Sequence, residues 1–335
     1  MGGTFEARLV EALQPIRNFA LAQGIYHLFN SGLYERVSSG PIKVIELAEE
    51  LAFDPQRATG FLQYLANEGI VLLQDECVSL TAAGRELAPF RPWYELLVGG
   101  YAETFQQITE ALRGPDYATR NGPMIGVGSC GISEYDAFPL VHELMAELPA
   151  PPKFITDFGC GDGAFLTGLL ESYPSVSGLG VDLFAPAESP VDGIRFLMKN
   201  ATDYARSLVP ATGADRGETL FLAVFLLQEV LEQEGRPAVV ELVRTALANG
   251  HLAVVEVDYK PTDPSIMKNG LGLGYYNPYN LLHAITEQRL EPEEFWLRLF
   301  EEAGAVVVAR RTVNSQVDST GLEIGFLLAP AGNEH

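Results

Sequence analysis

Apolar residues recur at helical spacing from Phe5 to Leu28, which predicts one long helix or two broken near Pro15. The next stretch, "IKVIELAEELAFDPQRATGFLQYLANEGIVLLQDECVSLTAAGRELA", reads as a helix, a turn at Phe53-Asp54-Pro55, a second helix to Asn67 and a two-stranded ribbon from Ile70 to Thr81. Asp54 is the natural N-cap of the second helix, with Pro55 at its first position. Between Trp93 and Leu148 the helical pattern is interrupted by "RGPDYATRNGPMIGVGSCGISEYDAFPL", whose Gly, Pro and Ser density suggests an irregular loop. From Lys153 onward the period alternates: "KFITDFG", "VSGLGVDL", "TLFLAVFLL", "HLAVVEVDY", "AVVVARRTV" and "GLEIGFLLA" read as strands. "GAFLTGLLESY", "GRPAVVELVRTAL" and "EPEEFWLRLFEEAG" read as the helices between them.

Strand and helix alternation of this kind implies an α/β doubly wound, mostly parallel sheet. Three segments are expected: a helical winged-helix module over 1–95, a helical connector and substrate lid over 96–150, and the sheet domain over 151–335. Composition adds that the chain packs as a globular protein, with 47% hydrophobic residues. No apolar run is long enough for a membrane span, and the acidic N-terminus lacks the basic flank of a signal peptide, so a cytoplasmic location is expected. The net charge of −22 repels a phosphate backbone, and the second helix of the winged-helix pattern offers only Arg57 as a cation. Nucleic acid is therefore not an expected partner. Cys77, Cys130 and Cys160 show no CxxC spacing and imply neither a disulfide framework nor a thiolate metal site.

The densest motif is "ITDFGCGDGAFL". Asp157 ends a strand, and Gly159, Gly161 and Gly163 follow at every second position before a helix, allowing a tight turn and close backbone approach to a ligand. Asp182 closes the next strand, where a carboxylate can hold two ribose hydroxyls. An acid on the first strand suits a cationic amino-acid tail better than a pyrophosphate. The segment resembles motif I of class I S-adenosylmethionine-dependent methyltransferases. Nearly the whole chain is similar to the small-molecule O-methyltransferase family, which dimerises through its N-terminal module. The resemblance implies S-adenosyl-L-methionine as cofactor, a homodimer, and adenine-bracketing roles for Asn200 and Ala201 in "MKNATDY".

The apolar run Leu220–Leu227 reads as a strand buried on both faces, ending at Gln228 and Glu229. Ligands bind at such strand ends, although a polar pair there could equally cap a helix. Members of the O-methyltransferase family usually carry a His-Asp pair at this place, and glutamine cannot replace histidine as a base. The Gln-Glu pair more closely resembles the α-keto acid C-methyltransferases. That resemblance implies one divalent metal, iron or zinc, held by Gln228, Glu229 and His283, and methylation of C3 of a 2-oxo acid through a stabilised enolate. Arg113 is the first candidate to bind the substrate carboxylate, with Arg120 in reserve. His142 and His251 are expected to be structural. O-methylation of a hydroxylated aromatic and a non-catalytic cofactor-binding regulator are the alternatives.

Overall fold

The computed structural model of the chain describes residues 4–189, 191–210 and 218–332. The chain divides into two compact units, Met1–Ala102 with Val127–Ser129, and Glu103–Gly126 with Cys130–His335. Most of the connector stretch thus belongs to the second unit.

In the first unit one helix runs unbroken through Pro15, from Phe5 to Asn30. Asp54 accepts the backbone N–H of Arg57 at 2.8 Å and starts the helix Pro55–Asn67. The expected ribbon forms from β2 (Val71–Gln74) and β3 (Cys77–Leu80), and a short β1 (Ile42–Lys43) joins β3 on its other edge. Leu28, Leu47, Leu62, Leu65 and Val78 are buried together as the core of this unit. The N-terminal half of the first helix does not join it: Phe5, Ile16 and Phe19 are each more than half exposed.

The second unit is built on β4 (Phe154–Phe158), β5 (Ser177–Asp182), β6 (Ile194–Met198), β7 (Thr219–Val224), β8 (His251–Val257), β9 (Ala305–Thr312) and β10 (Glu323–Pro330). Their order in the sheet is β6-β5-β4-β7-β8-β10-β9. The strands β4 to β8 pair in parallel, and β10 runs antiparallel to both β8 and β9. Each face of the sheet carries its own core. Phe221 and Ala223 of β7 pack with Trp296, Phe300 and Val243, whereas Leu220 and Leu222 pack with Leu140, Leu166 and Leu169. Two covered faces explain why β7 contains no polar residue after Thr219.

Two local expectations change. The segment expected to be an irregular loop contains the helices Gly122–Ser133 and Ala137–Met145, the first started by Asn121, which accepts the N–H of Met124. Its glycines lower helix propensity without preventing a helix once tertiary packing favours one. The apolar run after Thr219 is not one strand either. It stops at Val224, Phe225 turns through a left-handed backbone with φ 54°, and the helix Leu227–Gln233 begins. Apolar periodicity alone cannot separate a buried strand from the buried side of a short helix.

Candidate active site

The order of the strands reverses between β4 and β7, and the C-terminal ends of β4, β5 and β7 open there, the place where α/β sheets bind ligands. Gly159, Gly161 and Gly163 all have left-handed backbones, with φ of 75°, 54° and 81°. A Cβ on Gly163 would lie 2.3 Å from the Phe196 ring, so that position admits no side chain. In front of Gly161 there is open space, which suits the approach of a ligand to the backbone. Asp182 fixes the turn from the neighbouring strand, accepting the N–H of Gly161 at 3.1 Å and of Phe184 at 2.7 Å. Asp157 is buried, and burial, followed by the charge of Asp182, pushes its carboxyl up to about 8. A cationic ligand at this point would reverse that shift. Asn200 caps the helix Ala201–Ser207, accepting the N–H groups of Thr202 and Asp203, and donates to Glu234 at 3.2 Å. Phe184 and Met198 lie exposed after β5 and at the end of β6, giving an apolar surface near Asp182.

Gln228 and Glu229 occupy the first turn of the helix after β7, so they are neither strand residues nor caps. Glu256 of β8 lies beneath them, accepting the backbone N–H of Gln228 at 3.3 Å, and burial pushes its carboxyl up to about 8. Gln228 is 1% exposed. Its amide nitrogen donates to Phe225 O at 3.3 Å and Tyr279 OH at 3.4 Å, while Oε1 is buried without a hydrogen-bond partner among the described residues.

His283 ends the helix Asn277–His283 and stacks on Tyr279, with ring centres 3.7 Å apart. Its Nδ1 lies 2.9 Å from the Tyr279 carbonyl, which can only accept; Nδ1 therefore carries the proton and Nε2 the lone pair. Burial, with the charge of Arg120 adding to it, pushes the imidazole down to about 3, so it is neutral. Glu229 Oε1 receives Arg120 Nη1 at 2.8 Å and Gln288 Nε2 at 3.1 Å. Arg120 thus stands at Glu229 and within electrostatic reach of His283, whereas Arg113 is exposed beyond the helix Ala102–Ala111. His142 bonds Tyr173 OH at 2.9 Å, and His251 opens β8, both away from this cluster. Cys130 and Cys160 keep their protons, burial raising both thiols, Cys130 to about 12.

Among the described residues no group of three or more His, Cys, Asp and Glu side chains is placed to hold a metal ion. The candidate set contains only two residues of those types, with glutamine as the third. Its donors nonetheless fit one cation chemically: an amide oxygen lacking a partner, a carboxylate whose two bonds both use Oε1, and an imidazole whose Nε2 bears the lone pair. Tyr279 was legible in the sequence as an aromatic one helical turn before His283. Gln288 carried no signal, since it reaches Glu229 across 59 positions.

No protein-family model matches the chain. It is 62% identical over 326 residues to a protein of Streptomyces arginensis named 2-ketoarginine methyltransferase, covering 97% of this chain and 96% of that one. Among solved structures it is similar to mitomycin 7-O-methyltransferase, with TM-score 0.65 and 17% identity, covering 98% of this chain and all of the other. It is also similar to human N-acetylserotonin methyltransferase in complex with S-adenosylmethionine, with TM-score 0.68 and 13% identity over 99% of this chain and all of that one. The structural likenesses establish the fold, a class I methyltransferase sheet, and the 62% identity over nearly the full length establishes more: the chain belongs to the methyltransferases, in the family of 2-ketoarginine methyltransferase.

Proposed function

We propose that the protein transfers the methyl group of S-adenosylmethionine to C3 of a 2-oxo acid, with 2-ketoarginine the first candidate. The observation that carries the reading is the cluster after β7, where a neutral imidazole, a carboxylate and an unpartnered amide oxygen lie beside a guanidinium. The near full-length relative named for a 2-oxo acid supports the same substrate class. The reaction breaks one C3–H bond and the bond from sulfur to methyl, forms a C3–methyl bond, and releases a proton and neutral S-adenosylhomocysteine.

Asp157, Gly159, Gly161, Gly163 and Asp182 would hold the cofactor, with Asn200, Ala201, Phe184 and Met198 around its base. Gln228 Oε1, Glu229 and His283 Nε2 would hold one divalent cation, iron or zinc, which when bound supplies Lewis acidity to the two oxygens of a 2-oxo acid. Arg120, rather than Arg113, is the residue we assign to the substrate carboxylate. Its guanidinium is only 20% exposed and already faces a carboxylate, that of Glu229, which substrate binding would exchange for another. Gln288 keeps Glu229 in place when that exchange occurs.

The N-terminal module, which we read as a winged helix, is assigned to homodimer formation. The apolar positions Phe5, Leu9, Leu13 and Ile16, all exposed, recur along one helix and would be covered by a second copy. Light scattering of the wild type and of Ile16→Glu should give a dimer and a monomer. No helix among the described residues is long and apolar enough to cross a membrane, and a cytoplasmic location stays a proposal.

The decisive experiment incubates the protein with methyl-labelled cofactor and a panel of 2-oxo acids, with and without a chelator. Label on C3, lost on chelation and restored by added metal, is the expected result. Label on oxygen overturns the reaction, and undiminished turnover after complete demetallation overturns the metal.

A further inference from the structure

A cleft of about 330 Å³ opens in the second unit beside the buried His283 and Gln288, and its lining also includes Tyr117, Tyr259, Glu232 and Arg289. His283, one of the proposed reacting groups, therefore shares a space with residues the proposed chemistry does not use. Glu232 follows Glu229 by three positions on the helix Leu227–Gln233, a spacing that puts two side chains on one face, roughly 4.5 Å apart along the axis. Among the described lining residues Glu232 is the single carboxylate.

Its surroundings prepare it for a cation. The Tyr117 hydroxyl donates to Glu232 Oε1, which orients the carboxylate. Arg289 does not neutralise it, because its Nε and Nη2 both engage Glu291 Oε1 at 2.8 Å. The Tyr117 phenol is pushed up, first by its bond to Glu232, then by burial and by the charges of Glu232 and Glu287, with the charge of Arg289 opposing them. The rings of Tyr117 and Tyr259 add faces on which a planar cation can lie.

We propose that Glu232 is the specificity-determining residue for the substrate side chain, accepting a guanidinium or similar planar cation while the 2-oxo acid end lies at Glu229 and His283. A fork of two N–H donors matches a carboxylate, whereas a neutral urea of the same shape does not carry the charge. The inference rests on the proposed methylation of a 2-oxo acid at carbon and adds the residue that selects among such acids.

The test compares kcat/KM for 5-guanidino-2-oxopentanoate and for its neutral ureido analogue in the wild type, Glu232→Gln, Glu232→Asp and Tyr117→Phe. Calorimetric titration with S-adenosylmethionine reports whether each variant is folded. The wild type should favour the guanidino acid by on the order of tenfold to a hundredfold, the scale of a charge-assisted pair. Glu232→Gln should collapse that ratio to near unity, and Tyr117→Phe should lower it by about threefold through the guanidino KM. Should Glu232→Gln not bind cofactor, the ratios of Glu232→Asp, expected to fall, and of Tyr117→Phe decide. A wild type without preference, or folded variants that keep the wild-type ratio, overturns the role of Glu232. A wild type that methylates neither acid at carbon overturns the underlying reaction instead, so the two failures are distinct.

Discussion

The two ends of the sheet's ligand-binding edge are made by different means. At the end we assign to the cofactor the backbone does the work: three glycines within five residues turn the chain after β4, and one carboxylate from the adjacent strand holds the turn by the N–H of Gly161 while also accepting that of Phe184 in its own loop. At the acceptor end side chains do it, drawn from the helix after β7, from Arg120, from the helix ending at His283 and from Gln288. A backbone cradle accepts one ligand and tolerates little change, whereas a cluster of side chains can be altered one member at a time.

Separating the two ends by mutation tests the comparison. Glu229→Gln and His283→Ala should each lower kcat/KM by on the order of a hundredfold or more, the scale of losing a group acting at the reacting atoms. Cofactor affinity by calorimetry should stay at the wild-type value in Glu229→Gln, and bound metal should fall in both. Gly163→Val should do the reverse. A side chain there meets Phe196 and must hold a left-handed backbone, itself costing roughly 1–2 kcal/mol, so cofactor binding should weaken about tenfold or more and the melting temperature fall. Turnover at saturating cofactor would be less affected than binding.

A smaller effect distinguishes the two arginines. Arg120→Ala should raise the KM for the 2-oxo acid about tenfold or more, in line with losing a hydrogen bond to a charged group, while Arg113→Ala, at an exposed site, should change it little. Equal neutrality of both would remove the carboxylate assignment. The smallest expected effect is on stability and concerns neither ligand end. Asp136 and Glu323 are neighbouring buried carboxyls, and burial above all raises both above the ordinary range. Groups raised in the folded state bind protons more tightly folded than unfolded, so their stabilisation is complete below the unfolded value near pH 4 and is lost as pH rises through the folded value. Urea denaturation should therefore show stability declining toward neutral and alkaline pH, and the Asp136→Asn/Glu323→Gln variant should show a flatter profile than the wild type.

The legibility of the sequence divides along the same line. The glycine turn proposed as the cofactor cradle was readable because its residues are adjacent and a glycine spacing declares a backbone requirement. Most strands of the sheet were readable because buried strands such as β7 and β8 are largely apolar, but β6 (Ile194–Met198), mostly exposed, was not read as a strand. The proposed acceptor cluster was readable only in part: Gln228, Glu229 and His283 stood out as polar residues in apolar surroundings, whereas nothing local in the sequence distinguishes Arg120 from Arg113. Gln288 and Glu232 look in the sequence like ordinary surface polar residues, and only the return of distant chain segments gives them partners. The helix Gly122–Ser133 was missed because its composition argued for a loop and its packing overrode that argument.

The left-handed residue Phe225 acts as the gear between strand and helix. Each residue of an α-helix turns it by about 100°, so inserting or deleting one position between Val224 and Leu227 would swing Gln228, Glu229 and Glu232 together onto another side. Evolution of this protein can exchange those side chains freely for new acceptors, but it is held to a fixed number of residues in that short joint.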